Sequence, residues 1–307
     1  MQINYSFIIP HKNSLKFLKR CLESIPLRDD IEVIVVDDNS DKQEKPFDLP
    51  SRIKVILLDE SKSKGPGRAR NIGISQAKGK WLLFPDADDF YVDGFLNILD
   101  QYLNREELQI LFFSCEGKDA ITLESHHCGK MIQDIVEAYD GTQEMLDKVK
   151  YQTHVPWNKM ISRKFVLDYG LFYEEILKNA DLKFSFISSY FAKSVEVIPN
   201  RLYIYTHNTK GLTFSYRTVA NSLSIRANQM KCKKFFEYIG HPDLHKSIPF
   251  YNTALSVLKH QGLSSFLRFI LIVVLKHREA YKNEYDYVSA LESIKIQCAI
   301  KGFYKDD

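Results

Sequence analysis

A chain of 307 residues can bury a large core, as one large domain or two smaller ones. Hydrophobic residues at 45% and charged residues at 26% exclude wholesale disorder, and a formal net charge of +3 is too small to indicate a nucleic-acid binder. The charge is uneven: from Tyr216 onward 14 Lys/Arg face 8 Asp/Glu, so that part is strongly basic and the part before it mildly acidic. A basic back part implies a negatively charged partner.

Taken in chain order, Tyr5–Pro10 (YSFIIP) reads as a strand. Ser14 is placed to cap a helix whose apolar face is Leu15, Leu18, Leu22 and Ile25, with Pro26 beyond its end. Ile31–Val36 is a β-branched run of the kind buried in a parallel sheet, and Ile53–Leu58 is a third strand. A helix spans about residues 68 to 77, followed by a fourth strand, Trp81–Phe84. This alternation predicts an α/β fold built of βαβ units. Strands follow near 108–114, 195–198 and 202–205, with a helix over 182–191, and residues after 216 read as mostly helical. The expected division is therefore 1–215 and 216–307. Five scattered cysteines (Cys21, Cys115, Cys128, Cys232, Cys298) lack paired spacing and point to a reducing compartment. The start of the chain carries no signal-peptide pattern, and the longest apolar run, Phe266–Leu275, is interrupted by Arg268 and shorter than the roughly 20 residues a membrane span needs. The expected location is cytoplasmic.

Two strands end directly in acids, and ligands of α/β folds sit beyond the carboxyl ends of strands. The second strand runs into Asp37-Asp38-Asn39-Ser40, residues that also suit a plain turn. The fourth runs into Asp86-Ala87-Asp88-Asp89, whose carboxylates repel one another unless a cation sits among them. Hard divalent cations take such oxygen ligands and share them with phosphates. Between the two lies Lys64-Gly65-Pro66-Gly67-Arg68-Ala69-Arg70-Asn71, a glycine-containing basic turn opening a helix, which suits a diphosphate. It is not a Walker loop, and no G-x-G-x-x-G follows the first strand, which removes the main support for ATPase and dinucleotide folds.

Together FIIPHKN, VIVVDDNS, GPGRARNIGISQAKGKWLLFPDADDF and VPWNKMISRKFV resemble the family 2 glycosyltransferases of the GT-A fold, over roughly residues 5–210. The resemblance implies a mixed central sheet flanked by helices, with a helical C-terminal extension. It implies nucleotide-sugar contacts from Pro10, Asn13, Asp37, Asp38, Arg70 and Asp86. It makes Asp86 and Asp88 the family's D-x-D, with Asp88 the direct ligand of Mn²⁺ or Mg²⁺ and His207 a further candidate for metal or phosphate. Asp181 matches the catalytic base, although the acid that usually precedes it is Ala180 here. Another departure is Lys12, where an aromatic residue is usual. Trp157, Asn158 and Lys159, with His154, match the acceptor side; Trp157 reads equally as a sugar platform or as plain packing.

The implied activity is inverting transfer of a sugar from a nucleotide diphosphate, UDP by family habit, to a glycan or polyprenyl-linked hydroxyl in surface-polysaccharide synthesis. The alternatives are a non-catalytic sugar-nucleotide-binding or assembly subunit and a nucleotidyltransferase; the latter lacks its glycine-rich loop after the first strand. For FLRFILIVVLKHR the sequence leaves two readings: a basic helix lying on an anionic membrane at the inner face of the cell membrane, or a buried packing or oligomer contact.

Overall fold

Runs of β-branched and aromatic residues between Tyr5 and His207 assemble into one eight-stranded mixed sheet. In this computed structural model, which describes residues 2–176, 179–208, 219–245, 250–276 and 287–301, the chain divides into two compact units, Met1–Asn208 and Thr209–Asp307. The position 215 at which the sequence suggests a boundary lies outside the described residues.

In the first unit β1 (Tyr5–His11) pairs in parallel with β2 (Ile31–Asp37) and with β4 (Trp81–Leu83), and β2 pairs in parallel with β3 (Ile53–Leu57). The other half is mixed: β7 (Lys159–Ser162) runs antiparallel to both β4 and β6 (Ile110–Asp119). Strand β8 (Val195–His207) lies parallel to β6, and the short β5 (Phe90–Tyr91) closes the edge antiparallel to β8. The order is β3-β2-β1-β4-β7-β6-β8-β5. Because β1 to β4 share one direction, His11, Asp37, Leu57 and the acids after Leu83 emerge at one edge of the sheet.

Helices α1 (Leu15–Glu23), α2 (Pro66–Gln76), α3 (Phe95–Leu99), α4 (Lys130–Glu137), α5 (Gln143–Gln152), α6 (Arg163–Asp168) and α7 (Asp181–Phe191) flank the sheet. Helix α1 buries Leu18, Cys21 and Leu22 at helical spacing. Ser14 stands at its N-cap without a side-chain bond to the helix; the amide of Leu15 donates instead to the Glu44 carboxylate at 2.9 Å. Around β1 the core is aromatic, with Phe7 edge-on to Tyr91 (5.6 Å) and Phe95 (6.0 Å). The two short strands expected over 195–198 and 202–205 form one strand, because register shifts beside Phe113 to Cys115 accommodate the intervening Pro199. Strands β5 and β7 are too short to read from sequence, whereas α4, which buries Ile132 and Val136 at helical spacing, and α5 are helices absent from the elements expected above.

The second unit holds α8 (Val219–Tyr238), α9 (Phe250–Lys276) and α10 (Tyr287–Ile300). Helix α9 is broken at Gly262, whose φ of 81° lies in the region that favours glycine. No helix among the described residues is long and apolar enough to cross a membrane.

Candidate active site

The first layer of the site comes from the register of β1 against β2, which sets His11 beside Asp37. His11 donates from Nδ1 to Asp37 Oδ2 (2.8 Å), while Ser40 binds the same carboxylate through its amide (3.0 Å to Oδ1) and its hydroxyl. Burial pushes the Asp37 carboxyl up, but the bonds from His11 and Ser40 outweigh it and hold it below its ordinary value. Asp37 has no exposed surface, so it acts as a buttress for His11 and Ser40 and does not face open space. Asp38 is 3% exposed and accepts from the amides of Lys64 (3.2 Å) and Gly65 (3.1 Å), which ties the end of β2 to the basic turn. Exposed Lys12 lies 3.7 Å from the same carboxylate. Pro10 is half-buried; exposed Asn13 exchanges hydrogen bonds with Asp41 (2.8 and 3.2 Å).

The turn needs its glycines. Gly65 adopts φ 88°, and a Cβ on Gly67 would lie 1.8 Å from the Glu174 carbonyl oxygen and 3.0 Å from the Ala180 Cβ. Ala180 is 2% exposed and faces α2 at Gly67. Helix α2 carries Arg70, 4% exposed, down to Asp86, where its NH2 group donates to Oδ1 at 2.5 Å. The guanidinium also lies over the Tyr173 ring (5.3 Å). Tyr173 stacks on Phe184 at 4.1 Å, and its backbone N–H and C=O are both held by the Asn71 amide. Arg68 and Lys64 converge on one acid, Glu175.

The acid turn after β4 is fixed from β8. Tyr203 accepts from the Asp86 amide (2.9 Å) and donates to Asp89 Oδ2 (2.9 Å); the Thr206 amide donates to Asp89 Oδ1 (2.7 Å). Asp89 is thus wholly buried and shapes the turn. Arg20 of α1 donates to the carbonyls of Asp88 and Ala120, both at 2.7 Å. This leaves Asp86 and Asp88 half-buried beyond the carboxyl end of β4. Burial pushes the Asp86 carboxyl up to about 6; Arg70 opposes the rise, and Asp88 and Asp181 add to it. Burial raises Asp88 as well, against a hydrogen bond from Asn208 Nδ2 (3.1 Å).

Among the described residues no trio of His, Cys, Asp or Glu side chains is grouped to hold a metal ion. Two carboxylates strained by burial and by each other nevertheless fit a hard cation that takes one or two protein oxygens and completes its shell with phosphate oxygens and water. His207 ends β8 and stacks on His126 (4.2 Å, 15°), with His127 against the far imidazole. The polar loop that the sequence begins at His207 continues into residues outside the described ones.

Asp181 is the first residue of α7, where a negative charge is favoured by the helix dipole. Its charge acts on Arg70, Asp86, His154 and Lys159, so it shares one electrostatic environment with the D-x-D. Lys159 is 2% exposed and donates to the carbonyls of Val155 (2.6 Å) and Thr153 (3.4 Å). Burial pulls its ammonium down to about 7, against the attraction of Asp181. Burial likewise lowers His154. Trp157 and Asn158 behave differently. Trp157 is 2% exposed and stacks along Tyr203 (4.9 Å) and Tyr205 (5.0 Å); Asn158 is fully buried and donates to Thr153 Oγ1 (3.0 Å). The residues that sequence reasoning missed, Arg20, Tyr173, Tyr203, Thr206 and Asn208, act across long stretches of chain and carry no local signal.

The family model described as Glycosyl transferase family 2 matches residues 6–170. The chain is 28% identical over 228 residues to the putative glycosyltransferase EpsH of Bacillus subtilis, a match covering 69% of this chain and 63% of that protein. It is 25% identical over 219 residues to the poly(ribitol-phosphate) beta-N-acetylglucosaminyltransferase TarS of Staphylococcus aureus, covering 68% of this chain and 36% of that one. The chain thus spans less than two thirds of the length of these relatives. The crystal structure of S. aureus TarS 1-349 in complex with UDP-GlcNAc superposes with a TM-score of 0.57 at 18% identity, covering 98% of this chain and 84% of that one. The mannosyltransferase PcManGT from Pyrobaculum calidifontis, in complex with GDP-Man and Mn²⁺, gives 0.52 at 14% identity, covering 100% and 89%. Likeness at these identities establishes a shared GT-A-like fold.

Proposed function

The chain belongs to glycosyl transferase family 2, and on that premise we propose that it moves a sugar, with inversion, from a UDP-sugar to a hydroxyl of a glycan or polyprenyl-linked glycan in surface-polysaccharide synthesis. The observation that carries the reading is the cluster of charged side chains at the carboxyl edge of the sheet. There burial raises both Asp86 and Asp88, and Asp86 meets the guanidinium of Arg70 and the field of Asp181. UDP-GlcNAc bound to TarS and GDP-Man with Mn²⁺ bound to PcManGT support a nucleotide-sugar donor and a divalent cation.

In this reading residues 1–215 form the catalytic domain and 216–307 a helical extension. Pro10, Asn13, Asp38 and Arg70 line the nucleotide side, with Asp37 supporting them from behind. Asp88, with Asp86, holds Mn²⁺ or Mg²⁺, which when bound stabilises the charge gained by the departing diphosphate. Arg70 keeps Asp86 ionised and aimed. Asp181 accepts the proton of the attacking hydroxyl as general base, and the attack comes from the face opposite the diphosphate. Lys159 and His154 border Asp181 and define the acceptor side, while Trp157 and Asn158 hold that wall from inside. His207 is left out of the ligand set; Asn208 is the neighbour that reaches Asp88.

Calorimetric titration with UDP, GDP and CDP, with and without Mn²⁺, tests the reading. Mn²⁺-dependent binding of UDP that disappears in Asp88→Ala is the expected result. Binding of no nucleotide refutes the donor site, and binding without transfer to any acceptor turns the assignment to a non-catalytic subunit.

A further inference from the structure

We infer that the outer face of helix α9 rests on an anionic lipid surface. After the break at Gly262 this helix is apolar almost all round, and the structure shows how its faces divide. One face is core: Phe269 is fully buried and Val273 nearly so, clustered with Ala254 and Val257, while Phe266, Ile270 and the α8 residues Val219 and Leu223 pack against them. The other face presents Leu263, Leu267 and Leu271, 63%, 57% and 57% exposed. Residues spaced by four lie above one another on a helix, so these leucines make one continuous ridge. Before the break, Tyr251, Leu255 and Leu258 are exposed as well. Isolated exposed leucines are ordinary, but an aligned ridge marks a contact surface.

Charge identifies the occupant. From Leu244 to His277 the sequence contains no Asp or Glu, while Lys246, Lys259, Arg268 and Lys276 all fall within it. Lys259 and Arg268 are exposed. A second copy docking ridge to ridge would set cations against cations with no acid on that helix to answer them. An anionic bilayer supplies both an apolar layer for leucines and phosphates for the cations that rise from it. No described helix is long and apolar enough to cross a membrane, and a leucine ridge on a helix whose exposed charges are cations suits one lying in the interface. This deepens the acceptor reading above, since a polyprenyl-linked glycan is met at such a surface, but it is tested without nucleotide and stands or falls separately.

The test is flotation of the full chain, without nucleotide, with vesicles of phosphatidylcholine alone and of phosphatidylcholine with phosphatidylglycerol. Recovery with the phosphatidylglycerol vesicles only, reduced by high salt, is expected. Leu263→Gln/Leu267→Gln/Leu271→Gln should lower that partition at least about tenfold, with helix content by circular dichroism and UDP titration unchanged. The milder Lys259→Glu/Arg268→Glu, which leaves the leucines in place, should abolish the lipid preference. Equal recovery with both vesicle types, or with neither, overturns the proposal. So does a wild-type dimer in sedimentation equilibrium that the leucine variant converts to monomer without altering flotation, which would assign the ridge to a second copy.

Discussion

Lys159→Met is the substitution whose outcome the structure fixes most tightly. Lys159 is 2% exposed, its ammonium lies 5.0 Å from the centre of the Phe112 ring, and burial brings its pKa to about 7. In the unfolded chain a lysine titrates near 10.4. Below pH 7 both states carry the charge, and the folded state bears the whole cost of keeping it out of water. At about 1.4 kcal/mol per pH unit that cost is about 5 kcal/mol. Between pH 7 and about 10.4 the unfolded chain binds a proton that the folded protein lacks, so wild-type stability rises with pH across this window. Methionine removes the charge at every pH, but strips donors from the Val155 and Thr153 carbonyls, a pH-independent loss of about 1–3 kcal/mol each. The variant should therefore equal or exceed wild type in stability at pH 6 and fall behind it by pH 10, the difference changing by about 5 kcal/mol between. Urea unfolding followed by tryptophan fluorescence reads this directly, because both tryptophans, Trp81 and Trp157, are buried in the first unit. Parallel stability curves for the two proteins from pH 6 to 10 would refute the reasoning. Since Asp181 supports the ammonium, adding Asp181→Asn should move the lower end of the window to lower pH. A cation kept at such cost is the stability–function compromise expected of a working site.

Asp181→Asn should lower turnover by about 10²–10⁴-fold while leaving the UDP dissociation constant nearly unchanged; steady-state turnover beside calorimetry checks it, and near-normal turnover would remove Asp181 as the base. Trp157→Ala should cost about 3–5 kcal/mol in urea unfolding, because the indole is core packed on Tyr203 and Tyr205. A stable Trp157→Ala protein with only acceptor binding lost would restore the sugar-platform reading.

What the sequence discloses is what is local. The strands over Tyr5–His11, Ile31–Asp37 and Trp81–Leu83 are legible as short apolar runs, and the acids that follow the last two locate the site. Which acid faces outward is not local. Asp37 and Asp38 are neighbours of identical chemistry, and only the placement of His11 on the adjacent strand turns Asp37 inward, while the Lys64-Gly65 turn claims Asp38. Trp157 is ambiguous for the same reason. Its stacking partners, Tyr203 and Tyr205, lie on a strand whose continuity through Pro199 depends on shifted pairing with β6. Ala180 shows the limit most sharply. Seen in sequence it is a missing acid before the expected base; in the fold its Cβ faces Gly67, where the Glu174 carbonyl leaves no room for a side chain. Asp181 stands one residue beyond Ala180, with its charge reaching Arg70, Asp86 and His154.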